Sequence, residues 1–162
     1  MAVSEIIGAA VGVILLIIVA YVIVSGTLIA GETMANSQKD LTILQETRLR
    51  TSLELSSIEQ NKSIIYANIT NTGSEIIGDF KHMDVLVYDN DLTDHYQIFP
   101  YAPGGVPETP LAWGIDNRYG EFIHPYELDP GEVYRIRINS AGDNPGWFQI
   151  TTANGVSASA FT

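Results

Sequence analysis

A chain of 162 residues and 17.7 kDa has room for one domain of ordinary size plus one extra element. Lys+Arg number 8 against 19 Asp+Glu, a net charge of -11, which excludes a nucleic-acid backbone as partner because phosphate binding needs a basic face. The absence of cysteine excludes disulfides, thiolate zinc sites and cysteine nucleophiles together. Charged residues make up 17% of the chain, against the usual ~25%, so the charge is concentrated in one part and missing from another.

The first predicted element is an apolar helix. No residue from Ile6 to Gly31 is charged, and the centre of that run, Val11 to Val24, is aliphatic on every face. A helix crosses a bilayer core with ~20 apolar residues, so the run is long enough with room for tilt. Being apolar all round, it must be buried all round, in lipid or among other helices. A removable signal peptide fits poorly: nothing basic precedes the run, the apolar stretch is too long, and its glycines form no cleavage box. A plain membrane anchor is the simplest alternative. Two details point past an anchor, toward a helix that packs against copies of itself. Gly8, Ala9, Ala10 and Gly12 supply the small residues that close helix–helix contact requires. Glu5 stands at the start of the helix, where an acid suits the positive end of the macrodipole. In a dry bundle its carboxylate needs a partner, such as a neighbouring chain's α-amine.

From Glu32 to about Ile58 the apolar residues Met34, Leu41, Leu44, Leu49, Leu53, Leu55 and Ile58 recur at a spacing of three to four, which extends the helix to residue 58. From Ser63 the spacing changes to alternation. Strands are predicted at Ser63–Thr70, Asp84–Tyr88, Tyr96–Phe99, Glu132–Ile138, Trp147–Thr152 and Val156–Phe161, separated by Gly, Pro and Asn turns. In the segment Glu132–Ile138, Val133, Arg135 and Arg137 share one face, and Tyr134, Ile136 and Ile138 the other. Short strands without a further helix suggest an antiparallel sandwich or barrel, and the preferred fold is α+β: a long N-terminal helix over 1–58 followed by a β-sandwich over 59–162. Residues 1–50 hold four acids and three bases, which leaves -10 of the charge on the rest.

Motifs for catalysis are missing: there is no G-x-S-x-G, H-E-x-x-H, P-loop or G-x-G-x-x-G pattern, and His82, His95 and His124 lie on different segments. No catalytic residue and no cofactor is assigned. The acidic loop of Asp89, Asp91 and Asp94 is a calcium candidate by oxygen-ligand chemistry, but it lacks the EF-hand glycine and distal glutamate, and a solvated turn is the plainer reading. Asn61-Lys-Ser63 and Asn68-Ile-Thr70 are N-glycosylation sequons. Tyr96, Phe99, Tyr101, Trp113, Tyr119, Phe122 and Tyr126 crowd the middle of the chain as loop-packing or contact residues.

Ala2-Val-Ser-Glu-Ile-Ile-Gly8, leading straight into an apolar helix, resembles the start of archaeal type IV pilin-like proteins. Ala67-Asn-Ile-Thr-Asn-Thr-Gly-Ser74, Met83-Asp-Val-Leu-Val-Tyr88, Leu128-Asp-Pro-Gly-Glu-Val133 and Thr151-Thr-Ala-Asn-Gly-Val-Ser157 occur in an order similar to archaellum proteins, the accessory F and G proteins above all. The resemblance implies an immunoglobulin-like sandwich facing the cell exterior and gives Glu5 the position of the assembly glutamate of mature pilins, if Met1 is the first residue of the mature chain. No Lys or Arg precedes Ala2, so either the numbering begins on a processed chain or the protein is never processed. The expected function is a filament subunit of an archaellum or related appendage. Glu5, Gly8, Ala9, Gly12 and Ile17 would act in helix assembly, copies of the chain would be its partners, and the membrane would hold it before assembly. The alternative is a membrane-anchored, stator-like accessory protein whose β-domain binds the surface layer or other archaellum subunits.

Overall fold

A computed structural model describes residues 2–104, 111–120 and 123–162; the side chains of Ala2, Ser4 and Glu5 lie outside the description, as does Phe122. The chain divides into two compact units, residues 1–44 and 45–162. A single helix, α1 (Ala2–Arg50), runs through the first unit and into the second. At 1.5 Å per residue it is about 74 Å long. No proline interrupts it. The hydroxyls of Thr27, Thr33, Ser37 and Thr42 each donate to the carbonyl three or four residues back, at 2.9 Å. Folding the hydroxyls onto the helix's own backbone removes their need for water.

The β-domain contains eight strands: β1 (Leu53–Asn61), β2 (Ile64–Asn71), β3 (Asp84–Asp89), β4 (Tyr96–Phe99), β5 (Ala112–Tyr119), β6 (Val133–Asn139), β7 (Pro145–Thr151) and β8 (Ser157–Phe161). They form two antiparallel four-stranded sheets, ordered β1-β2-β6-β5 and β4-β3-β7-β8. The inner faces meet in one core, to which Ile65, Ile69, Ile136 and Ile138 contribute from the first sheet and Val85, Val87, Phe148 and Ile150 from the second. Alternation along β6 sorts its residues as expected, with Tyr134, Ile136 and Ile138 buried and Val133, Arg135 and Arg137 outward. An α+β chain with a long N-terminal apolar helix and an antiparallel sandwich is therefore what the sequence encodes.

Two elements differ from expectation. The helix stops at Arg50 rather than continuing to residue 58, because Leu53, Leu55 and Ile58 belong to β1 and pack on the core. A bulge between Ser56 and Glu59, with Ser57 at φ 49°, inserts an extra residue, so Ile58 faces inward out of strict alternation. That insertion gives a strand the three-residue spacing of a helix. The second difference is β5, where sequence reading finds only an irregular loop. It is an edge strand whose register breaks between Ile115 and Asn117, and its Gly114, Asp116 and Asn117 hide the strand signal.

Asn71, fully buried at the end of β2, knots together turns that are far apart in the chain. Its side-chain amide donates to the carbonyls of Glu75 at 2.7 Å and Leu128 at 2.9 Å, and its Oδ1 accepts from Gly73 N at 3.0 Å. Its backbone N–H donates to the Glu132 carbonyl at 3.1 Å and its carbonyl accepts from Gly131 N at 2.7 Å. Gly131, at φ 86°, turns the chain so that this N–H reaches Asn71. Gly73 lies so close to the end of α1 that a Cβ there would contact the Arg50 carbonyl and come within 2.6 Å of Ser52 N.

Replacing Asn71 with Ala removes three hydrogen bonds and leaves the Glu75 carbonyl without its partner, while the Leu128 carbonyl keeps Ile77 N and Gly73 N keeps the Ser52 carbonyl. At about 1 kcal/mol per bond, Asn71→Ala is expected to lower unfolding stability by about 3 kcal/mol. Urea unfolding followed by Trp113 and Trp147 fluorescence checks this; a loss below about 1 kcal/mol would mean that the amide network is not the fastening it looks.

Candidate functional site

The surface that most needs explaining is the helix. Ile6–Arg50 contains an apolar segment of mean hydropathy 3.0, long enough to cross a membrane by length and composition, and none of it is buried within the chain. Ile17, at the centre, is 63% exposed. Gly8, Ala9 and Gly12 fall in the same stretch, and a Cβ built on Gly8 or Gly12 would meet nothing within 4 Å beyond its chain neighbours and the helix's own adjacent backbone. Nothing inside the chain therefore requires glycine there, although each glycine costs a helix interior roughly 1 kcal/mol relative to alanine. Glu5 lies in the first turns of α1, with its side chain outside the described residues.

The last turn of α1 belongs to the β-domain unit and is fastened into it. Arg48 donates to the Gly155 carbonyl at 3.1 Å, Asn154 donates to the Thr51 hydroxyl at 2.6 Å, and the Arg50 carbonyl accepts from Ser74 N at 2.8 Å. Arg50 also sits 3.7 Å from Glu46 and 3.6 Å from Glu75. Both ion pairs are largely exposed and contribute little beyond orientation. Backbone donors thus reach the helix end, with Thr51 N on the Thr47 and Arg48 carbonyls and Ser74 N on that of Arg50, while Arg48 and Arg50 put positive charge at the negative end of the dipole.

The histidines serve separate structural roles. His82 pairs with Asp79 at 2.8 Å, His95 Nδ1 lies 2.9 Å from the Asp89 carbonyl, and His124 Nδ1 lies 2.8 Å from Asp129. Asp129 is buried, its other oxygen accepts from His124 N at 3.1 Å, and its own N–H donates to Glu132 Oε2 at 3.1 Å. The hydrogen bond to Asp129, then its charge, raises the His124 pKa above the ordinary 6.5; burial opposes the rise, and the charges of Glu127 and Glu132 assist it. Sequence reading found the Asp-Pro-Gly-Glu turn but had no means of pairing it with His124.

The acidic loop does not gather its carboxylates. Asp89 is buried and accepts from the Ser140 hydroxyl at 2.8 Å and from Asp91 N at 3.0 Å, whereas Asp91 and Asp94 are exposed. Among the described residues no three His, Cys, Asp or Glu side chains come together as a metal site. The sequons differ in setting. Asn61 is exposed where β1 turns into β2, beside Lys62 at φ 53°, while Asn68 is half-buried on the outer face of β2 between β1 and β6. Of the aromatic set, Phe99 and Trp113 are core and Tyr101 packs against it, whereas Tyr96, Tyr119 and Tyr126 are exposed.

A scan against family models finds no match, and no curated protein matches significantly. Solved structures do. The archaeal flagellum of Methanospirillum hungatei strain JF1 aligns over 95% of this chain and 90% of that chain, with a TM-score of 0.60 and 18% identity. The chain shares the fold of that archaeal flagellum protein. The likeness spans nearly the whole chain, so it takes in the long helix as well as the sandwich. The archaellum periplasmic stator protein FlaG from Sulfolobus acidocaldarius aligns over 69% of this chain and 99% of that chain, at TM-score 0.49 and 21% identity. The FlaF and FlaG complex from the same organism aligns over 68% and 87%, at TM-score 0.47 and 21% identity.

Because the folded His124 pKa lies above 6.5, its contact with Asp129 contributes stability that is complete below about pH 6.5 and is lost as pH rises through the folded value. An NMR titration should place the His124 midpoint above 6.5 in the native chain, and Asp129→Asn should return it toward 6.5; identical midpoints would sink the pairing.

Proposed function

We propose that this chain is a structural subunit of an archaellum or related type IV pilus-like extracellular filament. The membrane holds it by α1 before assembly. In the filament the helices of many copies bundle into the core, and the acidic β-domains form the outer shell at the cell surface. The observation that carries this reading is the helix: its apolar segment has no cover within the chain, the Thr27 hydroxyl inside it is bonded to the helix's own backbone, and a Cβ on Gly8 or Gly12 would meet no side chain of its own chain. A likeness in fold to an archaeal flagellum that extends over 95% of the chain supports it.

The energetics favour packing by shape. Moving apolar residues from lipid to a dry bundle changes little hydrophobic energy, so close contact at Gly8, Ala9 and Gly12 decides association. Glu5 takes the electrostatic role, its carboxylate near the positive end of the helix dipole and opposite the α-amine of a neighbouring copy. The function is structural rather than enzymatic and calls for no cofactor.

A charge at the centre of the bundle is the direct test. Lysine in a dry apolar environment costs at least about 3 kcal/mol per copy, so Ile17→Lys should abolish filaments sheared from cells. The urea unfolding of the β-domain should stay unchanged. Normal filaments from that variant would end the core-bundle reading. Wild-type chain found only in membranes, in a few copies per cell, would instead favour the anchored accessory protein that binds the surface layer.

The exposed turn makes Asn61 the favoured glycan acceptor, since a transferase needs an accessible loop and Asn68 sits within a paired strand. Intact-mass spectrometry of chain isolated from cells should show a loss of glycan mass in Asn61→Gln and none in Asn68→Gln. The reverse pattern, or a mass equal to the bare sequence, would reject that assignment.

A further inference from the structure

The two outer faces of the sandwich differ in chemistry. An antiparallel sheet with one solvated face is expected to show polar residues outward. The outer face of β1-β2-β6-β5 obeys, with Arg135 and Arg137 beside Tyr66. The outer face of β4-β3-β7-β8 does not. Strand register places Tyr96, Tyr88, Trp147 and Phe161 in one row across all four strands, because Tyr88 pairs with both Tyr96 and Trp147, and Trp147 pairs with Phe161. Ile98 and Leu86 begin the adjoining row, which Gln149 and Ser159 complete. Tyr96 is 65% exposed, Ile98 67% and Phe161 79%, so the stripe faces solvent in the isolated chain.

We infer that this aromatic face docks on the arginine-bearing outer face of the other sheet in a second copy of the chain. Charge selects that occupant. Copies carrying -11 each repel, and the β1-β2-β6-β5 face is where the β-domain presents two of its few cations together. Arg135 is already engaged by Glu59 at 2.8 Å and Asp116 at 3.6 Å. Arg137 is not: among the described residues it has no carboxylate partner, its Nε is buried without a hydrogen bond, and its guanidinium lies 6.0 Å from the Tyr66 ring centre. An aromatic face bordered by the exposed Asp91 and Asp94 offers that cation both π-faces and negative charge. A flat sugar chain is the poorer occupant, because the Tyr88 and Tyr96 rings stand 5.0 Å apart at 58° and make no level platform.

The two faces lie on opposite sides of one sandwich, so the contact is head-to-tail and repeats from copy to copy instead of closing as a pair. Its size fits that use. Four strands at about 4.8 Å, over about five residues at 3.4 Å, give roughly 300 Å², against about 800 Å² per partner in a stable complex. Such a contact is weak between free molecules and takes effect where helices already hold the copies close. In that respect it rests on the filament reading.

The chain has no cysteine, so single cysteines can report the contact. Ser159→Cys marks the aromatic face, Asn117→Cys the arginine face beside Arg135, and Lys81→Cys an exposed control. Full-length chains would be mixed in phosphatidylcholine vesicles, where the helices concentrate them without filament assembly, and oxidised mildly. The Ser159→Cys and Asn117→Cys mixture should form disulfide dimers at least about fivefold faster than Ser159→Cys with Lys81→Cys, the effect of one cation–π contact. Adding Arg137→Gln should remove the excess. Equal rates, faster pairing of Ser159→Cys with itself, or an excess that survives Arg137→Gln would each overturn the inference. Because the vesicles contain no filaments, these results stand apart from the Ile17→Lys experiment: filaments with no selective cross-link refute the face pairing alone, and a selective cross-link without filaments refutes the filament reading alone.

Discussion

One buried amide organises the β-domain. Asn71 joins the turn after β2, through Gly73 N and the Glu75 carbonyl, to the turn before β6, through the Leu128 carbonyl and Gly131 N. A buried amide left unpaired costs a large share of a small domain's stability, so the two turns are obliged to meet. The same turn reaches the end of the helix: Ser74 N bonds the Arg50 carbonyl, and Thr72 N and Gly73 N bond the Ser52 carbonyl. The chain leaves α1, enters β1 and returns along β2 with its direction set by this cluster. Beside it Asp129, paired with His124 and braced by Glu132, holds the loop that leads into β6.

The helix follows different rules from the sandwich it continues into. The sandwich buries its own apolar residues, whereas α1 presents its apolar residues outward along most of its length. Such a surface is stable only in lipid or against other chains. Within the uncharged run the Thr27 hydroxyl is bonded to the helix's own Val24 carbonyl, which lowers its cost in either environment. A filament subunit needs that property, since its helix must leave lipid for protein. A permanent anchor needs only the first environment, and its glycines would remain unexplained.

The sandwich surface carries its own division of labour. One outer face carries Arg135 and Arg137 around Tyr66, the other carries the row of Tyr96, Tyr88, Trp147 and Phe161, and among the described residues no carboxylate pairs with Arg137. Small faces of this kind add weak, directional contacts on top of a strong central association, and direction is what a repeating assembly requires of them.

The apolar run, the β6 alternation and the six recognised strands were legible in the sequence because each rests on local periodicity: all-round hydrophobicity for α1, and period two for strands such as Ile64–Asn71 and Val133–Asn139. Where a bulge broke the period, at Ser57 in β1 and near Asp116 in β5, local reading failed, converting one strand into a helical extension and the other into a loop. The residues proposed for helix assembly are chosen by chemistry alone, since a glycine or an acid in such a run stands out by itself. The partnership of Asn71 with the Asp129–Glu132 turn, the pairing of His124 with Asp129, and the alignment of Tyr96, Tyr88, Trp147 and Phe161 could not. Each depends on strand order and register, which are set by long-range pairing in the folded core and leave no trace in the spacing of neighbouring residues.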